Sequence, residues 1–333
     1  MLSHSWLKCI IIFVIDFMLF SECFDTLVLA CDNPFDLRDC KVIKRINSSR
    51  NILAFSPVTI AADPFLVVKD DTLYLFYEEY RYRDKGIIKM ISTCDLVTWS
   101  KPKVVLDEDF HLSYPWVFEH DGQWYMMPET SAVHEVRLYR AVNNQLDRFE
   151  FAKAILTHDA EDEFPVMDFC DSSIVNKDGE FFLFTTLNHG KGNELHLYYS
   201  DSLDGGYKRH PQSPLIVSDK YGRNGGSLLE HDGVLYRFAQ DCDGEYGKNV
   251  HLFKVNTISN NQYKETAFQE NVLTSHGLSA GHQYNFVNFK GKYIVTIDQK
   301  RWVPFLTCKA KRLFQLLKKL ESPAFSLRFI IWN

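Results

Sequence analysis

The sequence predicts an all-β protein, a five-bladed β-propeller with a short C-terminal amphipathic helix. The first observation is a repeat: an apolar run, a short Asp/Gly turn, and a second apolar run ending mostly in an acid or amide. It occurs at residues 63–78 (DPFLVVKDDTLYLFYE), 114–129 (YPWVFEHDGQWYMMPE), 171–186 (DSSIVNKDGEFFLFTT), 225–240 (GGSLLEHDGVLYRFAQ) and 283–298 (QYNFVNFKGKYIVTID). The second is spacing. Aligned without a gap, the copies place Asp71, Gly122, Gly179, Gly233 and Gly291 at one turn position, about 51 to 58 residues apart, the period of propeller blades. The third is composition: 333 residues with 46% hydrophobic and 14% aromatic content can fill one large all-β core.

From the N-terminus, residues 6–20 are apolar except for Lys8 and Asp16. That is long enough for a signal-peptide core and short of the roughly 20 residues that span a bilayer. Extending the stretch to Ala30 adds Glu22 and Asp25, both costly at a membrane centre. Residues 1–30 are therefore expected to be a signal or membrane-anchor segment, and residues 40–333 a single propeller domain. The eight cysteines include no close Cys-x-x-Cys pair of the zinc or thioredoxin kind. Cys31 and Cys40 are the pair expected to bridge if the protein is secreted, and ordinary free thiols if it is not. Asn47-Ser48-Ser49 is a sequon that only a eukaryotic secretory route would modify. The expected location is the secretory pathway or a membrane, with the cytoplasm as the alternative.

A hairpin returns its second strand to the edge its first strand left, so the two ends of each repeat share one rim. In a propeller that rim surrounds the central channel, where ligands are usually held. Strand starts contribute Asp63, Tyr114, Asp171, Gly225 and Gln283; strand ends contribute Glu78, Glu129, Thr186, Gln240 and Asp298. The carboxylates, amides and phenol describe a polar pocket of sugar size. Acids at strand ends often merely face solvent or cap amides, but a structural role would favour one repeated residue, and these slots vary in chemistry. His111 and His282 lie near the same rim as acid, base, ligand or packed ring. Trp116, Trp124, Tyr114, Tyr246 and Tyr284 offer aromatic faces, and Tyr114 is preferred because the repeat fixes its place.

A net charge of −6 without a basic stripe argues against a nucleic-acid partner. Residues 309–320 (KAKRLFQLLKKL) set Leu313, Leu316, Leu317 and Leu320 at helical spacing with lysines opposite. Such a helix rests on the body or lies weakly on an anionic membrane. Residues 325–332 (FSLRFIIW) read as a strand that closes the ring.

Several of these motifs carry a family resemblance. Ala62-Asp63-Pro64-Phe65, His111-Leu112-Ser113-Tyr114-Pro115 with Val117-Phe118-Glu119, Met127-Pro128-Glu129, residues 197–203 (LYYSDSL), and Ala239-Gln240-Asp241-Cys242 with Tyr246-Gly247 are among them. From about Ala54 to about Arg301 the chain resembles the propeller domain at the N-terminus of glucosamine inositolphosphorylceramide transferases. More distantly, the Asp-Pro opening of the first blade is similar to that of the five-bladed glycoside hydrolases of families 43, 32 and 68. The first resemblance implies that sugar transfer belongs to a separate C-terminal domain absent from this chain, so a transferase domain or protein is the expected partner. Asp241-Cys242-Asp243 has the form of a D-x-D metal motif, but it sits at a blade strand end. No metal and no cofactor is expected.

The second resemblance can be followed by residue. A propeller glycosidase needs a carboxylate base or nucleophile, a carboxylic acid and usually a third acid that tunes them. Asp63 matches the first-blade Asp, and Asp171 opens the third blade, where the pKa-modulating Asp is expected. The fourth blade, which should open with Glu, reads Arg223-Asn224-Gly225-Gly226. Either Glu129, or Glu78, supplies the proton from another blade, or the site binds a sugar or sugar phosphate without cleaving it; Arg223 favours binding.

The expected function is thus a propeller that recognises a carbohydrate or glycoconjugate and belongs with glycosyl transfer. Its expected ligand contacts are Glu78, Tyr114, Arg223, Gln240, Asp241, His282 and Asp298. One alternative is a glycoside hydrolase or transglycosidase with Asp63 as base or nucleophile, Asp171 as modulator and Glu129 as acid. Another is a non-catalytic scaffold for protein contacts.

Overall fold

The computed structural model describes residues 20–48, 58–81, 85–157, 168–188 and 192–304. Two strands come first, β1 (Phe20–Cys31) and β2 (Lys41–Ile46). Blade one follows as β3 (Val58–Lys69), β4 (Thr72–Arg81), β5 (Gly86–Thr93) and β6 (Lys103–Leu106). Blade two is β7 (Ser113–His120), β8 (Gln123–Glu129), β9 (Glu135–Ala141) and β10 (Phe149–Thr157). Blade three is β11 (Phe169–Lys177), β12 (Glu180–Asn188), β13 (Asn193–Ser200) and a broken outer edge, β14 (Lys208–Arg209) and β15 (Ile216–Val217). Blade four has a broken inner edge, β16 (Arg223–Asn224) and β17 (Leu229–His231), then β18 (Val234–Asp241), β19 (Asn249–Ile258) and β20 (Tyr263–Gln269). A four-residue helix, α1 (Val272–Ser275), leads to β21 (Tyr284–Phe289) and β22 (Lys292–Pro304). The five sheets make the expected five-bladed propeller, and the five repeats are its inner hairpins.

Each inner hairpin turns on two residues of positive φ: Asp70 and Asp71, Asp121 and Gly122, Asp178 and Gly179, Asp232 and Gly233, Lys290 and Gly291. That is the type I′ geometry whose twist matches its flanking strands, and it explains the recurrent Asp-Gly. Apolar residues on alternating faces pack between neighbouring blades. Phe76, Ile88, Met126 and Tyr139 fill the interface of blades one and two, and Phe182, Phe184, Leu197 and Ile258 that of blades three and four. Burying such a side chain contributes about 1.5–3 kcal/mol, so the core is distributed around the ring.

The fifth blade has the order β2-β1-β22-β21, so the N-terminal strands complete the sheet begun by the C-terminal hairpin. β1 pairs antiparallel with β22 from Phe20↔Pro304 to Cys31↔Tyr293. The sequence reading shifts at one boundary: residues 20–30, expected within a leader or anchor segment, are a blade strand ahead of the domain start expected near residue 40. The physical reason is Asp25. It is 0% exposed, and it accepts from Ser48 N and Oγ, each at 2.8 Å, with Arg301 Nε 2.8 Å away. A charge unwelcome in a membrane is here a buried ion pair that fastens the closure.

Cys31 and Cys40 form a disulfide beside this strand. Among the described residues no helix is long and apolar enough to cross a membrane. Residues 1–19, the helix expected over 309–320 and the strand expected over 325–332 lie outside the described residues.

Candidate functional site

The rim is built by a backbone irregularity that three blades share. The ladder skips between Ala62 and Phe65, between Ser113 and Trp116, and between Cys170 and Ser173. The residue displaced at each bulge has left-handed backbone: φ is +48° at Asp63, +48° at Tyr114 and +49° at Asp171. Such a conformation costs a non-glycine residue about 1–2 kcal/mol. Two of the bulges also free an N–H for the blade before them. Tyr114 N donates to Asp63 Oδ2 and Asp171 N donates to Glu129 Oε2, both at 3.2 Å.

On one side of the rim, His282 stands between two acids, Nε2 3.0 Å from Asp63 Oδ1 and Nδ1 3.0 Å from Asp298 Oδ2. Asp298 Oδ1 accepts from the backbone N–H groups of His282 and Gln283 at 2.7 and 3.1 Å. Burial works against a charged imidazole, but Asp298 and Asp63 outweigh it and hold His282 well above its ordinary pKa. Burial likewise pushes Asp63 up, and His282, the Tyr114 N–H and Arg223 together bring it below the usual carboxylate range. Asp63, His282 and Asp298 are also the group, among the described residues, whose ligating atoms lie within 4.8 Å of one another. Each imidazole nitrogen of His282 faces a carboxylate oxygen, so the three stand as a buried ion-paired cluster.

Across the rim stands Arg223. Its Nε donates to Asp171 Oδ2 at 2.6 Å, and its Nη2 is 3.8 Å from Glu129 Oε2. Gln240 Nε2 donates to the same Asp171 oxygen at 3.0 Å, and Ser131 Oγ donates to Glu129 Oε1 at 2.8 Å. Burial, opposed by Arg223 and reinforced by the charges of Glu129 and Asp63, pushes Asp171 up to about 8. Both donors sit on Oδ2, which leaves Oδ1 to carry the proton. Glu78 is raised well above its usual value by burial and then by Asp63. His111 Nε2 is 3.5 Å from Glu78 Oε1, and its Nδ1 accepts from Gly86 N at 2.9 Å, so its proton is on Nε2. Burial lowers the pKa of this ring.

The structure therefore gathers Asp63, Glu78, Glu129, Asp171, Arg223, Gln240, His282 and Asp298 at one rim. Two expected contacts lie differently. Tyr114 reaches the rim by its backbone, but its ring is 1% exposed and meets Phe65 edge-on at 4.8 Å, so it offers no face for stacking. The repeat fixed where its backbone stands and not where its side chain goes. Asp241 turns into blade four, where its Oδ1 accepts from Asp243 N at 2.9 Å and its Oδ2 is 3.3 Å from His251 Nε2. It shapes a loop instead of lining the rim.

Sequence reasoning passed over Tyr246 in favour of Tyr114. Tyr246 is 42% exposed, 5.4 Å from Arg223 Cζ and 5.0 Å from the His282 ring. Its signal was a tyrosine next to glycine in the loop that follows a rim strand. The Tyr114 hydroxyl, Asn224 Oδ1 and both amide atoms of Gln283 are buried without a hydrogen-bond partner in the protein, as polar atoms that serve water or ligand commonly are.

Comparison with known proteins agrees with this architecture. The family described as glucosamine inositolphosphorylceramide transferase 1, N-terminal, matches residues 45–303. The chain is 40% identical to glucosamine inositolphosphorylceramide transferase 1 of Oryza sativa subsp. japonica over 217 residues, 63% of this chain and 28% of that protein. It is 37% identical to the Arabidopsis thaliana protein of the same name over 261 residues, 70% of this chain and 32% of that protein. It thus spans under a third of the length of these curated relatives. Among solved structures, a Bombyx mori family 32 β-fructofuranosidase superimposes with a TM-score of 0.53 at 17% identity, over 72% of this chain and 55% of that one. A Clostridium thermocellum α-L-arabinofuranosidase does so with a TM-score of 0.51 at 14% identity, over 73% and 83%. At these identities the likeness is one of fold. The chain belongs to the family of the glucosamine inositolphosphorylceramide transferase 1 N-terminal domain.

Proposed function

We propose that this member of the family is a carbohydrate-recognising module of a glycosyl-transfer system, which binds a hydroxyl-rich ligand at the central rim without cleaving it. The observation that carries the reading is Arg223. It stands where blade four of a cleaving propeller would present its acid, 2.6 Å from Asp171 and 3.8 Å from Glu129. A guanidinium in that slot carries no proton that it could give to a leaving oxygen, and its Nε donates to Asp171 instead. Carboxyl groups, an amide and a guanidinium instead suit recognition of sugar hydroxyls. The relatives' name joins glucosamine, an inositol phosphate and ceramide; we take the sugar or inositol portion of such a glycolipid as the ligand class, and a transferase domain as the working partner. The Cys31–Cys40 bridge supports a secretory setting.

The test is titration of the full chain with glucosamine, N-acetylglucosamine, myo-inositol and inositol phosphates, followed by thermal unfolding and mass spectrometry. A ligand that raises the melting temperature and is recovered intact supports recognition. One that is consumed makes the chain an enzyme.

A glycosidase reading has one observation of its own: Asp63 is pushed down while Asp171 rises to about 8 and Glu78 is raised well above its ordinary value. Carboxyls so separated are what a base and acid pair requires. Here Asp63 is base or nucleophile, and Glu78 joins Glu129 as candidate acid. Asp63→Asn then lowers turnover by about 100-fold or more, whereas a binding module shows only a changed affinity.

A further inference from the structure

The loop from Cys242 to Lys248 joins β18 to β19 across the mouth of the rim. Asp243 N donates to Asp241 Oδ1 at 2.9 Å and Lys248 N donates to Asp241 O at 3.0 Å, which closes the base of the loop. Gly247 has φ +64°, and a Cβ there would stand 3.0 Å from Phe24 Cζ and 3.4 Å from His282 Nδ1. The loop rests on these two rings because residue 247 has no side chain. From β22, Lys300 is only 6% exposed; its Nζ donates to Tyr246 O at 2.8 Å and to Glu245 Oε1 at 2.6 Å, with Glu22 Oε1 2.9 Å away.

What this scaffolding presents is Tyr246. The residue is 42% exposed, whereas Asp63, Asp171, His282 and Asp298 around it are at most 6% exposed. From below it is held by Arg223 Cζ at 5.4 Å, the His282 ring at 5.0 Å and the edge of Phe24 at 6.1 Å. Burial raises its hydroxyl well above the usual phenol range against the pull of Arg223, and Asp63, Asp171 and Asp298 add to the rise. The ring thus lies against Arg223 and His282 while part of the residue remains open to solvent.

We infer that Tyr246 is the platform of the central site: its exposed ring face takes the C–H face of a sugar or inositol ring whose hydroxyls reach the rim acids, and Lys300 is a positioning residue that sets where the platform stands. This rests on the carbohydrate reading above and supplies the contact residue it lacked. Tyrosine suits the task because it offers a large, rigid, amphipathic surface with little rotamer freedom to lose.

The test measures binding of glucosamine, myo-inositol and methyl β-glucoside to the full chain by saturation-transfer NMR and titration. Tyr246→Ala is expected to raise Kd about tenfold or more, and Tyr246→Phe by less than about threefold, because the ring and not the hydroxyl makes the contact. Lys300→Met should weaken binding only while Tyr246 is present, so the double variant binds no worse than Tyr246→Ala. An independent effect of Lys300 refutes the positioning role. If Tyr246→Ala does not fold, Tyr246→Leu makes the same comparison with bulk retained and the aromatic face removed. A Tyr246 variant with unchanged Kd beside a weakened Asp63→Asn overturns the platform and leaves the rim reading intact. If none of the probes binds, the carbohydrate reading fails and the platform falls with it.

Discussion

The two ends of the repeated hairpin obey opposite rules. At the turn, the second residue has positive φ in all five copies and is glycine in four, and a Cβ added to any of those glycines would meet nothing within 4 Å. The sequence there follows the backbone. At the rim, Asp63, Tyr114 and Asp171 hold φ values of +48° to +49°, which glycine would adopt without strain, yet none of them is glycine. Here the sequence opposes the backbone, and the strain persists because the surrounding contacts hold it. Conformational strain that is kept in place in this way marks where side chains are needed for their own chemistry.

Glycine replacements test this contrast with the largest effect. Gly281 lies behind the rim, where a Cβ would stand 2.1 Å from the Asp298 carbonyl oxygen and 3.0 Å from its Oδ1. Gly281→Ala should destabilise by about 4 kcal/mol or more. Gly122→Ala at the turn pays only for its φ, about 1–2 kcal/mol. Equal losses in urea denaturation would abolish the distinction.

The reverse substitution sharpens it further. Asp71→Gly relieves a turn residue at φ +55° and should stabilise by up to about 1 kcal/mol. Asp63→Gly relieves a similar angle but strips a carboxylate from the buried His282, and should destabilise by about 3 kcal/mol. Opposite signs in one chemical-denaturation series are the expected result; a gain at both positions would mean that Asp63 is not held for its charge.

The smallest effect is spread over pH. Asp171 titrates at about 8 when folded against an ordinary 3.8, so between those values the folded chain binds more protons and stability falls as pH rises. For one proton the slope is at most about 1.4 kcal/mol per pH unit. His282, raised when folded, adds a loss as pH climbs through its folded value. Asp63, lowered when folded, contributes stability that is lost on acidification below its ordinary value. Asp171→Asn should flatten the slope between about pH 5 and 8, and an unchanged slope would remove Asp171 as its source.

Blade number and rim membership were legible because both follow from a period and a turn type, which are local properties. Asp63, Glu78, Glu129, Asp171, Gln240 and Asp298 meet as the alignment placed them, and Arg223 and His282, just ahead of the fourth and fifth repeats, join them. The Tyr114 ring is buried because a bulge redirects a side chain without altering the spacing, and the exposed Tyr246 belongs to a loop the repeat does not cover. Phe20–Cys31 read as a leader or anchor because its partner, β22, lies at the other end of the chain. An apolar run alone does not announce a pairing so remote in sequence.

That pairing sets a schedule for the molecule as it is made. Thr26 leaves the ribosome long before its partner Asp298, and at about 5–20 residues per second the interval is on the order of tens of seconds. Throughout it, β1 has neither β22 beside it nor Arg301 to neutralise Asp25. The first described strand of the propeller must wait, paired on one edge with β2 and open on the other, for the last, so the ring passes through a stage in which four finished blades stand beside a half-built fifth.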